Sequence, residues 1–269
     1  MWFNGNLCKE AVVPAQNAGS LLGWGVFSTV GIRDGRALLA REQCERLQRD
    51  AAPANIPLPY SVDQLLAGLK ETIAAQNVNH GLARITLTKR GDGRWHDAPG
   101  SDTLMLARET PALPSTGLRL TVSPNRVSAT RPLSQAKLTS YYPYLHHWEL
   151  AHRDGYDDCL LLTESGHICE SARANVFWRQ GDTWFTPALT TGCLRGVGRE
   201  AVMQLREAQG TPVREVHVEL EQLVSAEELV LVSGATGPRS VANLITTVGK
   251  TEFDLHSLHN QFLTWWEGL

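Results

Sequence analysis

Glu170-Ser171-Ala172-Arg173-Ala174-Asn175-Val176-Phe177-Trp178 is the stretch from which the rest of this sequence is best read. It holds the end of one short strand, His167 to Glu170, and most of the next, Asn175 to Arg179. The turn Glu164-Ser165-Gly166 precedes the first and Gln180-Gly181-Asp182 follows the second. A further strand, Asp158 to Thr163, lies just upstream. Three strands this close together leave no room for helical crossovers and read as hairpins.

Working outward, helices alternate with such hairpins. Before the stretch, Tyr144 to Arg153 reads as a helix ended by Gly155, and Leu118 to Ser123 as a strand. After it, Val197 to Ala208 reads as a helix ended by Gly210, with strands at Thr211 to Val218 and Glu228 to Val232. Near the N-terminus, β-branched Val26 to Ile32 is followed by Asp34-Gly35 and Ala37-Leu38-Leu39, a hairpin signal. Arg41 to Ala51 and Ser61 to Gln76 read as helices, the second with Ser61 as N-cap and Leu65, Leu66, Leu69 and Ile73 at helical spacing. Leu82 to Thr88 and Asp102 to Arg108 alternate as strands do. Residues 110–117, with Pro111, Pro114 and Gly117, form a linker between a lobe at 1–109 and a larger lobe at 118–269. The fold class expected is α+β in two lobes.

Bulk properties exclude several functions. The chain has 269 residues, 42% hydrophobic and 20% charged, with a formal net charge of -3. Its basic residues are scattered, so there is no nucleic-acid footprint. No apolar run approaches the roughly 18 residues of a membrane span, and the first residues lack the pattern of a signal peptide. Five widely spaced cysteines, with no Cys-x-x-Cys pair, read as reduced thiols of a cytoplasmic protein. His146, His147, Glu149 and His152 do not have metal-ligand order, so no metal is expected.

Three pieces in sequence order carry chemistry. Lys137 lies in Leu133-Ser134-Gln135-Ala136-Lys137-Leu138-Thr139-Ser140-Tyr141-Tyr142, where little other charge surrounds it. A poorly solvated lysine has a lowered pKa, and its free amine can attack an aldehyde. Glu170, at a strand end, can keep a pyridine nitrogen protonated. Gly192-Cys193-Leu194-Arg195-Gly196-Val197-Gly198-Arg199 opens a helix, whose first N–H groups suit a phosphate. Each is weak alone: a lone lysine is far more often a surface residue, and a lone glutamate an exposed strand end. Together they match what a pyridoxal phosphate enzyme asks of its protein.

With these residues in hand, the chain resembles the class IV, fold type IV, pyridoxal-phosphate enzymes, which include branched-chain aminotransferases, D-amino-acid aminotransferases and aminodeoxychorismate lyases. Five segments carry the resemblance, over nearly the whole length: Gly23-Trp24-Gly25-Val26-Phe27, Glu45-Arg46-Leu47, Lys137 before its tyrosines, Glu170 with Asn175-Val176-Phe177, and Leu194 to Arg199. The resemblance implies a two-lobed α+β fold of the D-amino-acid aminotransferase type, a homodimer, and pyridoxal 5'-phosphate bound at the lobe junction. It implies that Lys137, in the larger lobe, is the Schiff-base lysine and proton shuttle, and that Glu170 pairs with the pyridine nitrogen. Arg46, Val197, Gly198, Ala235 and Thr236 would hold the phosphate. Tyr142, or else Tyr141, would bond the ring hydroxyl. The chain departs from the family at Trp24, where Asp is frequent, at Gln43, where His is, and at Gly198, where Thr is.

The residues after Phe27 bear on the reaction. Phe27-Ser28-Thr29 resembles the lyase branch, in which a threonine delivers a proton to the departing enolpyruvate. Thr29 is then the expected proton donor, with Ser28 next. Phe27, Arg90 and Arg94 are the expected substrate contacts, from a basic cluster that includes Arg84 and Lys89 and would take a substrate carrying carboxylates. Arg239 is a further possibility. The expected activity is release of 4-aminobenzoate and pyruvate from 4-amino-4-deoxychorismate, a step of folate synthesis. The alternatives are amino transfer from branched-chain or D-amino acids, and a non-catalytic protein that kept the fold.

Overall fold

A computed structural model describes residues 1–93, 100–111, 116–255, 258, 261–262 and 264. The chain divides into two units, Met1–Leu113 with Ala136–Tyr141, and Pro114–Gln135 with Tyr142–Leu269.

The first unit contains, in chain order, β1 (Trp2–Phe3), β2 (Asn6–Leu7), α1 (Ala18–Leu22), β3 (Gly25–Arg33), β4 (Arg36–Ala37), α2 (Ala40–Ala51), α3 (Val62–Ala75), β5 (Gly81–Lys89) and β6 (Ser101–Glu109). Its strands form one sheet in the order β2-β1-β6-β5-β3-β4. The β3–β4 turn uses Asp34 and Gly35 at φ of 49° and 70°, as a two-residue hairpin demands. Helix α3 starts with a full capping box: Ser61 Oγ accepts from Gln64 N, and Gln64 Oε1 accepts from Ser61 N.

Strand periodicity then decides where the polar groups lie. Val26, Ser28 and Val30 point to one face, Phe27 and Thr29 to the other. The register with β5 puts Leu87, Ile85 and Ala83 opposite the first set, and Thr86 and Arg84 opposite the second. The first set is buried along with Leu47 of α2 and Leu65 and Leu69 of α3. The second face carries Phe27, Thr29, Arg84 and Thr86.

The second unit contains β7 (Leu118–Val122), α4 (Tyr142–Arg153), β8 (Asp158–Leu162), β9 (Ile168–Ser171), β10 (Asn175–Gln180), β11 (Thr183–Pro187), α5 (Val197–Ala208), β12 (Arg214–Val216), β13 (Glu228–Ser233), β14 (Gly237–Thr246) and β15 (Gly249–Glu252). The sheet runs β12-β11-β10-β13-β14-β7-β8-β9, with β15 paired to β14. Its core is Leu118, Leu120, Leu160, Leu162, Val176, Trp178, Leu229 and Leu231. The close-set strands 158–162, 168–171 and 175–180 are present, and β8 and β9 pair antiparallel.

Several expectations change. The segment with Lys137 belongs to the first unit rather than to the larger lobe. The reason is backbone pairing: Leu138 bridges Val26, Phe27 N donates to Lys137 O at 2.9 Å, and Thr139 N donates to Gly25 O at 2.8 Å. Helix α4 begins at Tyr142, two residues early, because Pro143 sits in its first turn, where no N–H partner is lost. The strand expected at 211–218 is only 214–216. Strand β14 went unseen because Gly237 and Pro238 open it and read as loop. Of the linker at 110–117, residues 112–115 lie outside the described residues.

Candidate active site

The first group of functional side chains lies on the open face of β3. The backbone around Lys137 is fixed from two sides. Besides its bonds to β3, Lys137 N donates to Asp50 Oδ2 of α2 at 3.0 Å. Thr139 Oγ1 and Ser140 Oγ both donate to Gly23 O, at 2.7 and 2.9 Å. The side chain reaches from this clamp to donate to Tyr141 Oη at 3.1 Å. Its ammonium lies 4.9 Å from the Phe27 ring centre and 4.7 Å from that of Tyr141. The two rings meet edge to face at 5.3 Å.

Thr29 follows Phe27 by two residues on this face and stands opposite Arg84 in the β5 register. The Arg84 guanidinium carbon is 3.7 Å from the Phe27 ring centre, and its Nε donates to Thr86 Oγ1 at 3.2 Å. Burial lowers the Arg84 pKa, with Tyr141 partly restoring it. Ser28, the second expected proton donor, faces the other way. It is buried and donates to Gln43 O at 2.9 Å. Arg46 is on that inner side too, 4% exposed, with Nη2 donating to Ser28 Oγ at 2.9 Å and Gln43 Oε1 at 3.0 Å. Asp50 has its carboxyl pKa raised, chiefly by burial, against the opposing pull of the Lys137 N–H and of Arg46 and Arg49.

Of the described basic residues expected at the substrate, Arg84 shares the Phe27 ring with Lys137. Lys89 is buried and donates to Asn55 O at 2.9 Å. Arg90 is paired with Asp102 at 2.7 Å, at the end of the sheet, where Asp102 stands beside it on β6. Arg94 lies outside the described residues. Tyr142 and Tyr141 are placed differently. Tyr142 opens α4, is 68% exposed and stacks on His146 one turn later, whereas Tyr141 is the tyrosine that bonds Lys137.

The second group is built around Glu170, 4% exposed at the end of β9. Its Oε1 accepts from Tyr144 Oη at 2.9 Å and from Arg131 Nη2 at 3.4 Å. Its Oε2 accepts from Leu194 N at 3.0 Å. Arg131 also donates to Tyr144 Oη, to Gly192 O at 2.8 Å and to Ser128 O at 3.0 Å. Asn175 Nδ2 holds Leu194 O at 2.8 Å.

Leu194 leads directly into α5. Its N-cap is Gly196, which has no side chain to cap the first turn, so the N–H groups of Val197 and Gly198 point out of the helix start. A Cβ on Gly196 would overlap Asn175 Oδ1, and one on Gly198 would stand 2.7 Å from the Ser233 carbonyl carbon. Gly198 thus lets the turn 234–236 close on the helix start, and Gly196 leaves room for the Asn175 side chain. There Ser233 Oγ accepts from Thr236 N at 3.1 Å and lies 2.8 Å from Thr236 Oγ1, with Ala235 inside the turn. Uncapped amides, a helix dipole and hydroxyls in one place fit a phosphate. Glu170 fits an N–H cation and Lys137 an aldehyde, so the donor set suits pyridoxal phosphate.

Asp50, Arg131 and Tyr144 were not singled out from the sequence. Their contacts span 87, 39 and 26 residues, and no local spacing signals them. The histidines of 146–152 serve packing. His147 Nδ1 is 2.7 Å from Ser123 Oγ, and His152 stacks on Trp148. Arg239 is half-buried on β14, its guanidinium pKa lowered by burial and by Arg173. No helix among the described residues is long and apolar enough to cross a membrane.

The chain is similar to proteins of known kind. The sequence model of amino-transferase class IV matches residues 25–244. An aminodeoxychorismate lyase of Bacillus subtilis is 29% identical over 232 residues, covering 82% of this chain and 77% of that protein. The crystal structure of Escherichia coli branched-chain amino acid aminotransferase superposes with a TM-score of 0.90 at 24% identity, over 100% of this chain and 93% of that one. A hypothetical aminotransferase from Mycobacterium tuberculosis, solved in a PLP-bound form, gives 0.80 at 20% identity, over 98% and 94%.

Proposed function

From the premise that this chain belongs to the class IV aminotransferase family, a pyridoxal-phosphate family with the fold described above, we propose that it is a lyase releasing 4-aminobenzoate and pyruvate from 4-amino-4-deoxychorismate. The observation that carries the reading is the placement of Thr29 on the same face of β3 as the Phe27 ring over which Lys137 lies. Relatives divide between lyases and aminotransferases, and Thr29 favours the first.

Pyridoxal phosphate, when bound, supplies an aldehyde for the substrate amine and a ring that takes up an electron pair. The remaining work falls to this chain's residues. Lys137 Nζ is the amine that would hold the aldehyde, and as a free amine it would take the proton from the amine-bearing carbon of the substrate. Tyr141 Oη keeps Nζ oriented in both roles. Glu170 would hold the ring nitrogen by its carboxylate, and the start of α5 with Thr236 would hold the phosphate. Arg84 pairs with a substrate carboxylate. Thr29 Oγ1 gives its proton to the departing enolpyruvate, which leaves as pyruvate, and regains one from water.

The test compares wild type, Lys137→Ala and Thr29→Val, each loaded with pyridoxal phosphate and given 4-amino-4-deoxychorismate. The visible band of the cofactor should vanish in Lys137→Ala. Thr29→Val should keep the band and lose about 10²- to 10³-fold in 4-aminobenzoate release, the span of one general acid. A band without 4-aminobenzoate, together with ready amino transfer from branched-chain or D-amino acids to keto acids, would overturn the lyase reading.

A further inference from the structure

Glu170 is held by more than a ring-binding carboxylate needs. Leu194 N already satisfies Oε2. Oε1 is met by a phenol that is itself met by a guanidinium: Arg131 Nη2 donates to Tyr144 Oη, and Tyr144 Oη donates to Oε1 at 2.9 Å. The same Nη2 lies 3.4 Å from Oε1. Arg131 is fixed in turn by the carbonyls of Gly192 and Ser128. Among the described residues, the thiols of Cys169 and Cys193 also face Glu170. Burial pushes both upward, Cys193 to about 11, so they stay neutral and add no charge.

We propose that Arg131 and Tyr144 form a relay that fixes the charge and the orientation of Glu170, making them positioning residues for the cofactor's ring nitrogen. This rests on the reading that Glu170 binds that nitrogen. A carboxylate buried without a cation tends to take up a proton and so loses its hold on a ring cation. A guanidinium keeps it ionised. The phenol between them donates to one oxygen and so turns the carboxylate plane. The relay has a second effect: the Arg131 charge opposes protonation of nearby groups. It therefore tempers how strongly the ring nitrogen holds its proton, and with it the power of the ring as an electron sink.

The experiment uses the full chain and four variants: Tyr144→Phe, Arg131→Gln, Arg131→Lys and Glu170→Gln. Three quantities are read: the dissociation constant of pyridoxal phosphate, the pH midpoint of the visible band of the loaded protein, and the melting temperature without cofactor. Tyr144→Phe should weaken cofactor binding about tenfold, the loss of one hydrogen bond to a charged group. Arg131→Gln should weaken it further and move the pH midpoint upward, because a positive charge has gone. Arg131→Lys should return the midpoint towards wild type. If both the Tyr144 and Arg131 variants bind cofactor as wild type does, with an unmoved midpoint and only a lower melting temperature, the two are packing residues and the proposal fails. Glu170→Gln separates the two levels. If it alone shifts binding and midpoint, the relay is wrong and the role of Glu170 stands. If it shifts neither, the role of Glu170 fails and the relay with it.

Discussion

Lys137 and Glu170 are immobilised by opposite means. Lys137 is clamped through its backbone, by Gly25, Phe27 and Asp50, while its side chain lies over two aromatic rings and bonds one hydroxyl. Glu170 is pinned through its side chain, both oxygens accepting from groups on α4, on the turn before α5 and on the segment before Lys137. The difference fits the two tasks proposed for them. A lysine that shuttles protons must swing at its tip, so only its root is fixed. A carboxylate that holds a ring nitrogen must keep one orientation, so its tip is fixed.

The largest expected contrast comes from deleting each tip. Lys137→Ala should cost at least about 10⁴-fold in turnover, the upper range for a proton-transfer group. It should leave the unfolding free energy within about 1 kcal/mol, since the backbone clamp survives. Glu170→Ala should also abolish turnover, yet cost about 3 kcal/mol of stability, because it strands Arg131, Tyr144 and the Leu194 N–H. Denaturant titrations of the two variants check this. Equal stability losses would erase the distinction between root-held and tip-held residues.

Gly198→Ala probes the second region next. A Cβ there meets the Ser233 carbonyl carbon at 2.7 Å, backbone that cannot step aside without moving the turn 234–236. Overpacking of this kind costs about 1–3 kcal/mol. Pyridoxal phosphate should bind at least about tenfold more weakly by equilibrium dialysis, while the backbone bonds around Lys137 stay intact. Gly155→Ala is a control of another kind: φ is +83° but nothing lies within 4 Å, so its strain should lower stability without touching cofactor binding.

How much of this was legible from the sequence follows the same division. Residues that act through local geometry could be read. Gly196 and Gly198 at a helix start, the Ser61 N-cap and the Asp34-Gly35 turn all announce themselves within a few residues. Alternation along 25–33 places Phe27 and Thr29 on one face and Ser28 on the other, although the two hydroxyls look equivalent until a helix covers one face. Long-range partners could not be read. Asp50 meets Lys137 across 87 residues and Arg131 meets Glu170 across 39, and nothing near either marks the contact. Tyr142 and Tyr141 differ by one residue. Only the start of α4 at Tyr142 decides that the earlier ring faces the lysine. Arg90 has the charge for a substrate carboxylate, but a neighbouring acid on β6 claims it.

Asp50 sharpens the first region with a smaller effect. Its carboxylate is buried, and burial raises its pKa, yet it accepts the Lys137 N–H. Asp50→Asn keeps an oxygen at that position and should change turnover less than about threefold. Asp50→Leu leaves the Lys137 N–H without its acceptor and should cost about 1–3 kcal/mol of stability and about tenfold in turnover. If Asn and Leu behave alike, the backbone bond does not hold the lysine root.

The smallest effect is a pH dependence confined to the second region. His147 lies on α4, one turn from Tyr144, with Nδ1 2.7 Å from Ser123 Oγ. Its pKa is lowered from 6.5, first by burial and then by the positive charges of His146 and Arg131. The sign follows from proton counting: between the lowered folded value and 6.5, the unfolded chain binds the extra proton and the folded chain does not. The stability this site contributes is therefore complete above pH 6.5 and is lost as pH falls towards the folded value. His147→Gln cannot take up that proton, so its unfolding free energy should fall less steeply with acid below pH 6.5 than that of wild type. Parallel curves would remove His147 as a source of acid sensitivity. A flatter curve for the variant would mean that acid loosens the helix carrying Tyr144, and with it the hold on Glu170, by a route that the backbone clamp on Lys137 does not share.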